Sequence, residues 1–267
     1  MGFGSYSVSA AYDRQYSTYS HMSREEVFTQ RHLDSDMDPK GVDFRESRDR
    51  DGEESFPILI FLDETGSMGH MPELLIKNVF PKIMEKIIAA GIPNPQVMFG
   101  GIGDCCYSEE GPLQVGQFES SDDLMEKWLT NIYLEGRGGG NAHESYSLAW
   151  YWAAKHVKTD AFEKRGQKGV LITIGDEPCQ MCLTQKQIKK YIGDNVQDDI
   201  RAVDALEDVK KYFNVYHIHC NGSETYDFED TNWEELLGIN AVVSKSKKGD
   251  DVGKIIPKLV ELSYNNR

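Results

Sequence analysis

The sequence contains no apolar run long enough to span a membrane. A transmembrane helix needs about 20 consecutive apolar residues, and no stretch of the 267 residues approaches that length. Residues 1–20 are polar and rich in Tyr and Ser, so they lack the apolar centre of a signal peptide. We therefore expect a cytoplasmic protein with no membrane contact.

Basic residues are few relative to acidic ones. The chain has 29 Lys and Arg against 44 Asp and Glu, which gives a formal net charge of -15. An excess of negative charge repels the phosphates of nucleic acids and anionic lipids, and it attracts cations and basic partners. We therefore expect no direct binding to nucleic acid.

Cysteine is also scarce, with five residues: Cys105, Cys106, Cys179, Cys182 and Cys220. An odd number without an export signal argues against a disulfide framework and predicts free thiols. A weaker alternative is a Zn²⁺ site made by Cys179, Cys182, His219 and Cys220. A single Cys-x-x-Cys pair is a weak zinc signal, because buried cysteines commonly serve only as small packing residues.

Residues 1–54 have few aliphatic side chains and include the charged string RESRDRDGEE at 45–54. Such a segment cannot bury a core of its own. It is predicted to be a polar tail, which is extended, bound to a partner or held against the domain. Four tyrosines between residues 6 and 19 offer a docking surface, so a homo-oligomer held together by the tail is one hypothesis.

From residue 55 to 267 the pattern changes to apolar runs that alternate with amphipathic stretches, which is typical of a single α/β domain. Strands are predicted at 56–62, 96–102, 112–118, 169–174, 213–219 and 240–244. Helices are predicted at 72–91, 121–132, 143–157, 184–192, 199–212 and 252–264. Pro81 and Pro257 are expected to kink or interrupt two of these helices. The resulting fold is a doubly wound, Rossmann-like sheet with helices on both faces.

Polar residues follow several of the predicted strands. Strands that are apolar without alternation are covered on both faces, and ligands then bind beyond their carboxyl ends. Asp63, Thr65 and Ser67 follow the first strand, and Asp176 follows the fourth. Carboxylate and hydroxyl oxygens suit a hard cation such as Mg²⁺, with Mn²⁺ and Ca²⁺ as alternatives. Together these residues predict a metal site at the rim of the sheet.

Two other interpretations of the same loop stay open. Asp, Thr and Ser before a helix are common N-capping residues, which need no metal. Asp63 followed by a hydroxyl two positions later is also similar to phosphatases that use Asp-x-Asp-x-Thr with the first Asp as nucleophile. Thr65 stands where those enzymes have their acid/base Asp, so a phosphohydrolase would lack its proton donor.

The pattern Asp63-x-Thr65-x-Ser67 after a buried strand resembles the metal-ion-dependent adhesion site of von Willebrand factor A domains. That family usually has Asp-x-Ser-x-Ser at this position, and GVLITIGDEP at 169–178 is similar to its fourth strand. The resemblance covers about residues 55–264. Several stretches, among them ESYSLAWY at 144–151, also resemble an uncharacterised set of bacterial and phage-encoded proteins of this fold.

The resemblance implies a sheet in the order 3-2-1-4-5-6 with a short antiparallel third strand at one edge. It also implies that Thr65 and Ser67 bind the metal directly, that Asp63 and Asp176 act mainly through waters, and that a protein partner supplies a Glu or Asp. The family's third loop normally provides a threonine, where this chain has Gly138–Asn141. Asn141 is the first candidate for that ligand and Glu144 the second, and a loop that contributes only backbone is the third option.

Asp104 and Glu144 are further candidates for a supporting role around the metal. Asp104 closes the second strand beside the first, although an ordinary turn aspartate would look the same. Glu144 opens a predicted helix, where the helix dipole alone explains an acidic residue. The glycine-rich GRGGGN at 136–141 lacks the Gly-Lys-Ser/Thr ending of a phosphate-binding loop.

The sequence therefore predicts a binding or scaffold module rather than an enzyme, in which a divalent cation at the strand rim accepts a carboxylate from a partner. The alternatives are a metal-dependent phosphohydrolase with Asp63 as its nucleophile and a structural assembly subunit with a degenerate metal site.

Overall fold

A computed structural model describes residues 5–68, 71–107, 110–135, 143–220, 227–246 and 251–267. Its strands are β1 (Arg45–Ser47), β2 (Phe56–Asp63), β3 (Pro95–Ile102), β4 (Leu113–Val115), β5 (Val157–Thr159), β6 (Gly169–Gly175), β7 (Cys182–Leu183), β8 (Ile200–Arg201), β9 (Phe213–Cys220) and β10 (Ala241–Ser244). Its α-helices are α1 (Val8–Ser17), α2 (Arg24–Val27), α3 (Met71–Leu74), α4 (Phe80–Ala89), α5 (Asp122–Thr130), α6 (Tyr146–His156), α7 (Asp160–Arg165), α8 (Gln185–Tyr191), α9 (Ala202–Val209), α10 (Trp233–Leu237) and α11 (Val252–Asn265). No described helix is both long enough and apolar enough to cross a bilayer.

Six strands form the central sheet in the order β10-β9-β6-β2-β3-β4. All neighbours pair in parallel except β3 and β4, which are antiparallel. Counted along the chain, this is the predicted order 3-2-1-4-5-6 with an antiparallel third strand at the edge. The predicted fold class is therefore confirmed.

Alternate residues of β2 pack into two separate cores, one on each face of the sheet. Ile58, Ile60 and Leu62 face the core that includes α4, α5 and α11. Leu59 and Phe61 face the core that includes α6, α8 and α9. Every residue of β2 is buried, because helices cover both of its faces. The continuous apolar sequence of this strand follows directly from that double coverage.

The two prolines act differently on their helices. The predicted helix 72–91 is divided into α3, a π-helical turn at Leu75–Val79, and α4, which has Pro81 in its first turn. Proline has no N–H for the preceding turn, so the helix restarts there. Pro257, in contrast, lies inside α11 without ending it. Because Pro257 has no backbone N–H, the carbonyl of Gly253 has no donor within the helix. It accepts a hydrogen bond from Lys86 Nζ at 3.4 Å instead.

The segment before the domain is folded against it rather than extended, which is one of the arrangements predicted for the polar tail. Residues 5–54 contain α1, α2 and β1, and β1 pairs in parallel with β5 of the same chain. Phe28 and Met37 are buried in or against the domain, despite the low aliphatic content of this segment. We refer to residues 5–54 as the N-terminal segment.

Ion pairs also attach the N-terminal segment to the domain, in addition to its few buried apolar residues. Arg14 of α1 contacts both Glu126, at 2.7 Å, and Asp122 of α5. Arg48 contacts Asp160 at 2.8 Å at the start of α7. All three contacts join residues more than 100 positions apart, so composition within the segment alone did not predict them.

Candidate functional site

The sheet brings the ends of β2 and β6 together at its carboxyl rim. Asp63 is the last residue of β2, and Asp176 follows directly after β6. The two strands are hydrogen-bonded neighbours, with Leu62 opposite Ile174. Both aspartates are fully buried. The predicted meeting of these two carboxylates at one edge of the sheet follows from this register.

The loop after β2 connects the two aspartates through hydroxyl groups. The backbone N–H and Oγ1 of Thr65 donate to Asp63 Oδ1 at 2.9 and 2.6 Å. The Oγ atoms of Thr65 and Ser67 lie 3.1 Å apart, and Ser67 Oγ donates to Asp176 Oδ1 at 3.0 Å. The four side chains therefore form one continuous network of oxygen atoms, in which each hydroxyl gives its one proton to a carboxylate. The helix-cap interpretation does not describe them, because both hydroxyls bond to the aspartates.

This network leads from the protein interior to the surface. Thr65 is buried like the aspartates, whereas Gly66 and Ser67 are exposed. The oxygen atoms are therefore held by a rigid strand end on one side and open to solvent on the other. A cation bound at such a place can exchange with solvent and can accept an outside ligand.

Tyr146 of α6 is a member of the site that the sequence did not reveal. Its Oη donates to Asp63 Oδ2 at 2.9 Å, so both carboxylate oxygens of Asp63 accept hydrogen bonds. Gly175 makes this approach possible, because a Cβ atom at that position would lie 1.7 Å from Tyr146 Oη. The only sequence signal was a glycine immediately before Asp176.

The carboxylates of the rim raise one another's pKa. Burial raises the pKa of Asp63, and the nearby Asp176 raises it further. Burial likewise raises the pKa of Glu144 and Glu177, with Asp63 the strongest charged contributor in each case. No lysine or arginine is among the main influences on these three groups. The site therefore has a negative potential that a cation would neutralise.

The two predicted supporting residues both lie at the rim. Asp104 is 2% exposed, and its Oδ1 accepts from Cys106 N at 2.7 Å. Glu144 is 4% exposed, and its backbone N–H donates to Pro178 O just beyond Asp176. Asp104 Oδ2 and Glu144 Oε2 are buried without a hydrogen bond to any described group. Gly138–Asn141, including the predicted ligand Asn141, lie outside the described residues.

The residues of the alternative zinc site do not come together. Cys179 belongs to the core on the α6 side of the sheet and Cys220 to the core on the opposite side, while Cys182 is exposed. Within the described ranges, no three His, Cys, Asp or Glu side chains are arranged to hold a metal ion. The network of two aspartates and two hydroxyls is a different kind of donor set.

The sequence matches no protein-family model and no curated protein. Among solved structures, the chain is similar to the pilus adhesin SpaC from Lactobacillus rhamnosus GG, with a TM-score of 0.48 and 11% identity over 83% of this chain and 32% of that one. It is similar to a von Willebrand factor type A protein from Catenulispora acidiphila, with a TM-score of 0.42 and 14% identity over 79% and 43% of the two chains. For BatB from Bacteroides thetaiotaomicron the TM-score is 0.44 and the identity 15%, over 79% and 99%.

The chain thus spans less than half the length of the first two of these proteins. The sheet has the strand order, the antiparallel edge strand and the helices on both faces that the resemblance implied. The described residues therefore form a doubly wound, mostly parallel α/β fold.

Proposed function

We propose that this protein is a metal-dependent protein-binding module. A divalent cation, Mg²⁺ or alternatively Mn²⁺ or Ca²⁺, would be held at the rim by Asp63, Thr65, Ser67 and Asp176. The cation would supply a positive centre that accepts a Glu or Asp side chain of a partner protein.

The observation that carries this proposal is the direction of the hydroxyl hydrogen bonds. Thr65 Oγ1 gives its proton to Asp63, and Ser67 Oγ gives its proton to Asp176. A hydroxyl that donates its proton to a carboxylate presents its lone pairs elsewhere, and here Ser67 reaches the solvent-exposed side. Such oxygens are suitable ligands for a hard cation.

Asp63 fits a role through bridging waters rather than direct contact. Its Oδ1 accepts from Thr65 and its Oδ2 accepts from Tyr146, so each oxygen already has a protein donor. Its charge still contributes to the potential at the rim. Residues that hydrogen-bond to the groups around a metal commonly affect the affinity for that metal nearly as much as the direct ligands do.

The same geometry disfavours the phosphohydrolase hypothesis. A nucleophilic Asp63 would need an oxygen that faces a substrate, yet its side chain is fully buried and both oxygens accept hydrogen bonds. Turnover of an aryl phosphate in Mg²⁺, abolished by Asp63→Asn, would restore that hypothesis.

Isothermal titration with Mg²⁺ and Mn²⁺ tests the proposal. The wild type is expected to bind one cation, and Asp63→Ala is expected to lose at least about tenfold in affinity. Asp204→Ala is the matched control, because it removes an exposed aspartate of α9 that pairs with Arg201. Equal heats from the wild type and Asp63→Ala would contradict the proposal. Affinity capture with the same variants would then identify partners that depend on the metal.

A further inference from the structure

The N-terminal segment and the loop after β2 line an open groove of about 290 Å³. Arg24, Gln30 and Arg31 of the N-terminal segment line one side, and Gly66 and Leu134 line the other. We call it the rim groove. Gly66 lies between Thr65 and Ser67, so the rim groove begins within one residue of the proposed metal ligands.

Two arginines give the rim groove a local positive charge in a strongly acidic protein. Neither Arg24 nor Arg31 forms an ion pair with a described side chain. Arg31 Nη1 donates to the carbonyls of Phe28 and Gln30 at 3.0 and 3.2 Å, which holds its guanidinium in place. Glu25 is the one acidic residue in the lining, so the described lining keeps a net positive charge.

Arginine binds carboxylates through paired N–H donors, and these charge-assisted bonds are stronger than neutral ones. A partner that offers one carboxylate to the cation would place the adjacent part of its chain over the rim groove. Because Gly66 and the two arginines line the same groove, a second acidic side chain a few residues along the partner would face the arginines.

We propose that the rim groove selects an acidic peptide segment, in which one carboxylate binds the metal and a second, a few residues away, binds Arg24 and Arg31. This inference rests on the proposed metal-dependent binding, and it adds the chemical class of the partner. The N-terminal segment then forms one wall of the binding surface as well as packing on the domain.

Fluorescence anisotropy with two labelled peptides in excess Mg²⁺ tests this inference. One peptide carries Glu-Gly-Gly-Glu between glycines, and its match carries Glu-Gly-Gly-Gln. The wild type is expected to bind the two-acid peptide about three- to tenfold more tightly. This preference would oppose the net charge of -15, which by itself repels the more acidic peptide.

Arg24→Gln/Arg31→Gln is expected to abolish that preference without changing the affinity for Mg²⁺ alone. Lys254→Gln/Lys258→Gln is the matched control, since it removes the same charge from exposed positions of α11 and should keep the preference. If the first variant does not fold, Arg24→Lys/Arg31→Lys keeps the charge and loses the paired donors, and it should reduce the preference.

The outcomes separate the two proposals. If neither peptide binds, or if binding persists in EDTA, the metal-dependent function fails and this inference with it. If both peptides bind only with Mg²⁺ but with equal affinity, the function stands and the role of the rim groove is refuted. The role of the rim groove would also be refuted if inorganic phosphate, in the absence of Mg²⁺, bound more tightly than either peptide. That result would assign the arginines to a phosphate site.

Discussion

The contact between Tyr146 and Gly175 predicts a measurable coupling between two substitutions. A Cβ atom at position 175 would lie 1.7 Å from Tyr146 Oη, 2.7 Å from its Cζ and 3.0 Å from Asp63 Oδ2. Gly175→Ala must therefore displace the tyrosine ring or the strand, and it must disturb the hydrogen bond to Asp63. Tyr146→Phe removes the same hydrogen bond without adding an atom.

Each substitution has an expected cost. Forcing a methyl group into a packed interior costs about 1–3 kcal/mol, and loss of a buried hydrogen bond to a charged group costs about 1.5–3 kcal/mol. Gly175→Ala is thus expected to destabilise the protein by about 3–5 kcal/mol, and Tyr146→Phe by about 2 kcal/mol. In the double variant the hydrogen bond is lost only once and the closest contact disappears. The double variant should therefore be about 2 kcal/mol more stable than the sum of the two single destabilisations predicts.

Urea denaturation followed by both fluorescence and circular dichroism measures these free energies and checks that unfolding is two-state. Tyr151→Phe is the matched control, because it removes a hydrogen bond of 2.8 Å to Asp194 from the same helix. It should combine additively with Gly175→Ala, within about 0.5 kcal/mol. If Tyr146→Phe is also additive with Gly175→Ala, the tyrosine hydroxyl does not lie over the glycine and the described geometry is refuted.

Two further predictions concern the N-terminal segment. Arg14→Ala should destabilise the protein by about 2 kcal/mol in urea denaturation, because it leaves the carboxylates of Asp122 and Glu126 without their cation; an unchanged midpoint would contradict this role. Burial would raise the pKa of Asp49, but the hydrogen bonds from Arg165 and Ser55 together with the charge of Arg165 outweigh it and lower that pKa to about 2. A lowered folded-state pKa stabilises the protein above the ordinary value of 3.8 and loses this effect as the pH falls towards 2. Asp49→Asn should therefore flatten the fall in stability between about pH 4 and pH 2, and an unaltered profile would refute the assignment.

Most of the sheet was predictable because its strands are apolar without interruption. Residues 56–62 and 169–174 have little freedom to be anything but buried strands, and each observed strand extends one residue beyond the predicted end. The positions of Asp63 and Asp176 followed, since parallel neighbours end at the same edge. The local pattern was sufficient here because burial on both faces selects one type of side chain.

Features that depend on distant residues were not predictable in the same way. Tyr146 reaches Asp63 across 83 positions, and only the missing side chain of Gly175 permits it. The N-terminal segment is fixed by ion pairs such as Arg14 with Glu126, which are 112 positions apart. A charged residue looks the same in sequence whether its partner is a remote side chain or water.

The parallel pairing of β1 with β5 also sets an order of events during synthesis. Residues on either side of this contact, such as Arg48 and Asp160, are 112 positions apart. At a translation rate of about 5–20 residues per second, β1 waits about 6–22 s for its partner to be made. Throughout that interval β1 has no partner strand, so this contact of the N-terminal segment forms only after β2, β3 and β4 have been synthesised.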